Sequence, residues 1–237
     1  MRILDIDGPL IQFLGKMADL MWLNILTMLC CIPIVTAGAS LTALNYMALK
    51  IVRNEECYIT RGFFKAFKDN FFQSTAIWFI FLLVAGILAT DYRIMTTADV
   101  QISGVVRMAI LVFGMITLFT FVFVFPVQAK FANPVKRTIW NAFVFSIVQF
   151  PKTILMIVLY VVPYVMVYLF NGIFPVIFVF CLSIPALLSA KLYNKFFMRL
   201  EEKIAAADKE ADGGAADDEE DVRIFKDELD ETIGQNN

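Results

Sequence analysis

The feature that most constrains this chain is a series of apolar runs about as long as a bilayer is thick. A hydrocarbon core of about 30 Å takes about 20 residues of α-helix, since each residue rises about 1.5 Å. Runs of this length, bounded by charge, lie at 17–36 (MADLMWLNILTMLCCIPIVT), 71–90, 105–125, 153–170 and 173–190. Inside lipid, backbone N–H and C=O groups must be satisfied within their own segment, so such runs become helices. The pattern predicts an all-α fold: a polytopic transmembrane helical bundle of about five spans. Composition agrees, with 59% hydrophobic and 18% charged residues, where soluble domains carry about 45–50% and about 25%.

Charge divides the chain in two. Residues 1–200 carry 16 Lys and Arg against 8 Asp and Glu, whereas residues 201–237 carry 4 against 14. The first region reads as a transmembrane domain. The second, rich in Ala, Gly and acids, reads as a largely disordered cytoplasmic tail that cannot bury enough apolar area to order itself. Its end, VRIFKDELDETI, places Val222, Phe225, Leu229 and Ile233 near one helical face, which leaves a short docking helix open as an alternative.

Basic loops stay in the cytoplasm. Lys50, Arg53, Arg61, Lys65 and Lys68 cluster in 50–70, Lys130, Lys136, Arg137 and Lys152 in 126–152, and Lys191, Lys195, Arg199 and Lys203 follow the last run. Segment 91–104 holds only Arg93. With five spans, this alternation predicts a multi-pass protein of the cell membrane with its N-terminus outside and its C-terminus in the cytoplasm. The N-terminal stretch MRILDIDGPL lacks a basic n-region and a cleavage site, so it reads as retained.

Several stretches leave the threading open. Residues 37–49 (AGASLTALNYMAL) are too short to span alone and suit a helix packed inside the bundle through small residues. Residues 139–150 would make a sixth span, but the run is short and would put Lys191, Lys195 and Arg199 outside. Asn171-Gly172 suits a tight turn between the last two runs. The segments RGFFKAFKDNFFQ (61–73) and RTIWNAFVFSIVQ (137–149) share Arg, Ala, Phe and Gln at equal spacing. They read either as a parallel duplication of span, interfacial helix and span with a fifth span added, or as two unrelated aromatic-rich amphipathic helices at headgroup level.

Little in the sequence suggests catalysis. There is no His, no nucleophile with a base, no phosphate loop and no metal-spaced acidic cluster. Enzymatic activity, cofactors, metals and nucleic-acid partners are not expected. Cys30, Cys31, Cys57 and Cys181 lack metal spacing and read as small apolar residues. Glu55 and Glu56 beside Arg53 read as local charge balance. Asp19 and Arg107, expected in the same leaflet, either pair across helices or each reach the interface by snorkelling. Asn24, Thr27, Thr117, Thr120 and Ser183 are polar groups at membrane depth, expected to pack. Pro33, Pro163 and Pro185 free backbone carbonyls, which in a small-solute transporter or channel would mark the site.

The segment DGPLIQFLGKMADLMWLNILTMLCCIPIVTAGASLTALNYMALKIVRNEECYITRGFFKAFKDNF resembles the N-terminal signature of the YesL-like family of bacterial integral membrane proteins of unknown function. The elements that carry it are PIVTAGAS (33–40), LKIVRNEE, FFKAFKDNF, then FVFPVQAKFANPVKRTIWNAF and LYNKFF (192–197). The resemblance spans most of residues 5–200 and omits the acidic tail. It implies a multi-span protein considered alongside carbohydrate uptake and breakdown systems, without an established activity or site. Its motif positions point to Arg53, Asn54, Glu55, Phe64 and Asn70, and to Asn133, Lys136 and Asn141.

With the Phe and basic residues of 61–72 and 131–150, these positions yield a candidate docking set of Arg53, Phe64, Phe67, Asn70, Lys136 and Asn141. The expected role is an accessory or scaffold in the lipid bilayer, docking another membrane protein such as a sugar permease.

Overall fold

Helix formation follows the apolar runs. The computed structural model describes residues 9–55, 58–97, 103–131, 133–169 and 178–212, and among them every regular element is helical. In chain order these are α1 (Pro9–Cys31), a 3-10 turn (Ile34–Thr36), α2 (Ala37–Arg53), α3 (Ile59–Asp69), α4 (Phe71–Thr97), α5 (Gly104–Lys130), α6 (Val135–Val148), α7 (Phe150–Leu169) and α8 (Ser183–Asp212). Among the described residues, five segments are long and apolar enough to cross a membrane: Leu14–Cys31, Ile34–Arg53, Phe71–Ile94, Gly104–Lys130 and Phe150–Leu169. Leu83, Leu111 and Val162, on α4, α5 and α7, are exposed, as lipid-facing positions would be. The fold is an all-α, multi-pass membrane bundle.

These are not quite the five runs read from the sequence. The run beginning at Met17 breaks at Ile32-Pro33, because proline lacks the N–H to continue a helix and pushes its predecessor toward extended backbone. Pro33 is itself extended (φ −73°, ψ 118°). The Thr36 hydroxyl donates to the Cys30 carbonyl at 2.6 Å, satisfying one acceptor freed at the end of α1. The chain then returns as α2. Counting only 37–49 made this helix too short, yet the apolar window is 20 residues long, Ile34–Arg53, or about 30 Å. Lys50 and Arg53 fall in its last turn, where long cationic side chains reach the interface. Asn54, left-handed at φ 54° and ψ 32°, stops it. The Glu55 N–H donates back to the Lys50 carbonyl at 3.1 Å, a Schellman-type ending.

The α1–α2 hairpin corrects the expected threading. Lys16 Nζ donates to Asn54 Oδ1 at 2.8 Å, and Trp22 Nε1 donates to Thr60 Oγ1 at 2.9 Å. The start of α1 therefore lies at the same end of the bundle as the basic segment 50–70, not opposite it. One helix was missed between them, and an added crossing inverts everything before it.

Helix α2 is the hub. Of its spanning window 61% is buried, against 28% or less in the other four, and it touches α1, α3, α4, α5 and α8. Ala37, Gly38, Ala39, Ser40, Ala43 and Ala48 are buried and permit this close packing, as small residues do between membrane helices. At Gly38 a methyl group would collide with the Ser74 carbonyl oxygen and lie 2.7 Å from Trp78 Cβ. Hydroxyls join the same helices: Ser40 Oγ donates to Thr27 O at 2.9 Å, and Thr42 Oγ1 and Ser74 Oγ share a bond of 2.8 Å.

A unit of span, short helix and span occurs twice, as α2–α3–α4 and α5–α6–α7. In each, the short helix is separated from the next span by one residue, Asn70 or Gln149. The four matched residues are nonetheless out of register. They relate positions 76 apart, whereas the two breaks are 79 apart. At the structural spacing, Phe63 and Ala142, Ser74 and Thr153, and Ile77 and Met156 fall into pairs, all fully buried. Segment 139–150 is thus α6 and the start of α7, not a crossing.

Helix α5 runs through Pro126 to Lys130, past the expected end at residue 125, because spans accommodate interior proline. Of the expected span 173–190, residues 173–177 and the Asn171-Gly172 turn lie outside the described residues. Helix α8 begins at Ser183 with a cap supplied by another helix. Asn24 Oδ1, on α1, accepts from the Leu182 and Ser183 N–H groups at 3.0 and 3.2 Å, and Asn24 Nδ2 donates to the Phe178 carbonyl at 3.0 Å. Orphan amides of a helix start need such an acceptor. Ser183, Ala186, Ala190, Tyr193 and Phe197 are buried, spaced three and four apart as one helical stripe. The helix continues unbroken to Asp212, so the division expected at residue 200 falls inside it. Residues 213–237, including the segment 222–233, lie outside the described residues.

Candidate functional site at the basic end of the bundle

Three helices that are far apart in sequence meet at one carboxylate. Arg53, the last residue of α2, reaches Glu201 on α8 through both terminal nitrogens: Nη2 to Oε1 at 2.7 Å and Nη1 to Oε2 at 3.2 Å. Its Nε donates to Asn194 Oδ1 at 2.9 Å. Lys130, the last residue of α5, brings Nζ to 3.6 Å from the same Oε1, with its side chain only 6% exposed. Such a fork is the geometry in which guanidinium and carboxylate bind best. Both cations also sit at helix C-termini, where the macrodipole favours positive charge. Arg53, Asn194, Met198, Glu201 and Glu202 line a cleft of about 370 Å³ beside them.

Next to this clamp lies an amide network. Gln128, two residues before Lys130 and almost fully buried, donates through Nε2 to Gln73 Oε1 at 2.7 Å and to Asn70 Oδ1 at 3.1 Å. Its Oε1 accepts from the buried Thr138 hydroxyl at 3.0 Å. The network ties the α3–α4 break to α5 and α6, and polar bonds of this kind hold membrane helices together.

The short helices present different outer faces. On α3, Ile59, Phe63 and Ala66 are buried while Arg61, Phe64, Lys65 and Lys68 are exposed. On α6, Thr138, Ala142 and Ser146 are buried, and the exposed residues are Lys136 and then the apolar Trp140, Ile147 and Val148. An open groove of about 670 Å³ runs between α5 and α6, with Thr120, Ile139, Trp140 and Phe143 along it and Lys136 and Arg137 at one end.

The docking residues expected from sequence therefore scatter. Arg53 is held by Glu201. Phe67 stacks on Phe63 (centroids 6.3 Å apart) and is packed against the core. Asn70 is bonded to Gln128 and, through Nδ2, to the Ala66 carbonyl at 3.0 Å. Asn141 is half-buried on α6. Phe64 and Lys136 are exposed, but on different helices.

Asp19 and Arg107 are not brought together. Asp19 lies near Lys16 at the basic end, while Arg107, in the first turn of α5, is about 35 Å from Lys130 along that helix. Leaving α2 out of the count of spans also produced this pairing.

The expected prolines do not converge either. Pro33 ends α1, Pro185 lies in the first turn of α8, and only Pro163 is inside a span. Neither cavity described above is lined by any of them. Thr27, Thr117 and Thr120 donate to their own helices at Leu23, Phe113 and Ile116. Glu55 approaches Lys50 at 3.8 Å, and Cys30, Cys31 and Cys181 are free thiols.

Sequence reasoning used Lys130 only as a flanking cation and did not single out Gln128, Asn194 or Glu201 as site residues. Ending the third span before Pro126 placed Gln128 and Lys130 in a loop. Glu201 was absorbed into the acidic tail by composition, although it falls in register with the buried stripe of α8.

These features define a multi-pass α-helical membrane protein with an ion-pair clamp and an amide network at one end of the bundle. Residues 20–92, from α1 through most of α4, match the model of a family described as "Protein of unknown function, DUF624". The match falls within the stretch whose residues resemble the YesL-like family and is consistent with that resemblance. No curated protein and no solved structure matches the chain.

Proposed function

We propose that this is a noncatalytic accessory protein of the cell membrane that docks another integral membrane protein through α3. The carrying observation is the division of α3 into a buried apolar face and an exposed face with Arg61, Phe64, Lys65 and Lys68. Tyr58 and Phe72, exposed to 80% and 85%, flank it. An aromatic and cationic surface on a helix fixed at both ends suits protein recognition, because little ordering is needed on binding. By the positive-inside rule this end faces the cytoplasm, together with the start of α1 and Glu201. The YesL-like resemblance suggests the partner class, a permease subunit of carbohydrate uptake.

A photo-crosslinking side chain at Phe64 in native membranes tests this. A discrete adduct identified as one integral membrane protein, absent when the probe is at Leu83, is the expected result. No adduct would remove the proposal. Solute uptake into proteoliposomes by the purified protein alone would replace it with the transporter reading drawn from the prolines.

A further inference from the structure

We propose that the groove between α5 and α6 is a binding site for one phospholipid with an anionic headgroup. The groove has the volume of an ordinary small-molecule pocket, about 670 Å³, and its two ends differ in chemistry. At one end are Lys136 and Arg137, in the first turn of α6. At the other is Thr120, ten residues before Lys130 on α5, hence about 15 Å farther along the span. That distance is about half the hydrocarbon core, so the groove runs from headgroup level toward the midplane, the extent of one lipid in one leaflet.

The walls fit the same occupant. Ile139, Trp140 and Phe143 supply apolar surface, with Trp140 64% exposed. The Thr120 hydroxyl donates to the Ile116 carbonyl at 2.9 Å, so its proton is already engaged within α5 and is not offered to an occupant. Trp140, Ile147 and Val148 continue the apolar surface outward along α6, where a water-facing helix would carry charge. Acyl chain along the groove and phosphodiester beside Lys136 match the two chemistries of the lining. The headgroup must carry net negative charge, since Lys136 and Arg137 are adjacent cations and a zwitterionic headgroup would bring its own ammonium beside them.

The protein reconstituted in vesicles of equal phosphatidylcholine and phosphatidylglycerol, then released in mild detergent, is examined by native mass spectrometry for retained lipid. Retention of one phosphatidylglycerol with a preference on the order of tenfold over phosphatidylcholine is expected from two cations. Lys136→Gln with Arg137→Gln should abolish the preference. Trp140→Ala should reduce retention with the charges intact. Arg61→Gln with Lys68→Gln, which removes the same charge from α3, should leave the preference unchanged. Equal retention of both lipids by the unaltered protein, or equal loss of preference in the α3 variant, would overturn the site in favour of diffuse attraction to the surface. Variants are compared only where they elute as single species with unaltered helical circular dichroism. The Trp140 variant, changed at an exposed position, keeps the test decisive if the charge variant does not fold.

Discussion

Arg53 and Lys130 occupy the same place in the two repeated units, the final residue of the first span, and both reach the carboxylate of Glu201. One acid on the added helix α8 thereby holds the two units together at their basic end. The bond to Arg53 is bidentate and its partners are 15% and 26% exposed, so the arrangement is neither a loose surface pair nor a dry buried one. Removing the acid leaves two cations facing each other, one of them nearly out of water.

Glu201→Ala should therefore lower stability by about 1–3 kcal/mol, less than a fully buried pair because of partial exposure. The readout is thermal unfolding in detergent. Glu202→Ala, the neighbouring change, should have little effect, and equal losses in the two variants would contradict the clamp.

Gly38→Ala tests the contact at the hub. The added methyl meets backbone at Ser74 and a Cβ at Trp78, atoms that cannot rotate away, so α2 and α4 must separate. A loss of about 1–3 kcal/mol is expected from such overpacking. Gly86→Ala, at a helical glycine of α4 with open space around it, should be neutral or slightly stabilising. The difference between the two unfolding temperatures is the measurement.

Gln128→Leu removes the side chain that links Asn70, Gln73 and Thr138. Asn70 Oδ1 and Gln73 Oε1 each lose the Gln128 donor, and the buried Thr138 hydroxyl is left with only its longer 3.3 Å bond to the Asn133 carbonyl. About 1–3 kcal/mol should be lost. Protection of backbone amides in the last turn of α3 and the first of α6 should fall with it in hydrogen exchange, whereas α8 should be unaffected.

Threading is testable by labelling. Single cysteines replacing Lys16 and Asn54, in a background lacking the four native cysteines, should react with an impermeant thiol reagent from the same side of the membrane. One replacing Arg107 should react only from the other. Labelling of Lys16→Cys and Asn54→Cys from opposite sides would break the α1–α2 hairpin.

What the sequence disclosed was governed by how far each feature depends on local chemistry. Long Leu-, Val- and Phe-rich stretches such as 105–125 announce themselves, because lipid burial requires only length and apolarity. Helix α2 does not, since it is buried by protein and its Ala, Gly, Ser and Thr residues serve close packing, which depresses the very hydropathy by which spans are counted. That one helix accounts for the expected separation of the start of α1 from segment 50–70 and for the Asp19–Arg107 pairing alike. The repeated architecture was legible from the order of elements, whereas its register was not: Arg61 and Arg137 align in sequence but Asn70 and Gln149 align in space. The clamp was hidden because Glu201 opens an acidic run, and only its register, four residues after the buried Phe197, separates it from the acids that follow.

The central position of α2 bears on how the chain enters a membrane. Of the five described segments long and apolar enough to cross, it is, with α1, among the least hydropathic, so lipid alone gives it the weakest reason to stay. Its residence is secured by neighbours that are synthesised after it, α4, α5 and α8 among them. Insertion must then be retrospective: the segment made second becomes committed only when later ones arrive, and truncations that stop before α5 should leave it poorly anchored.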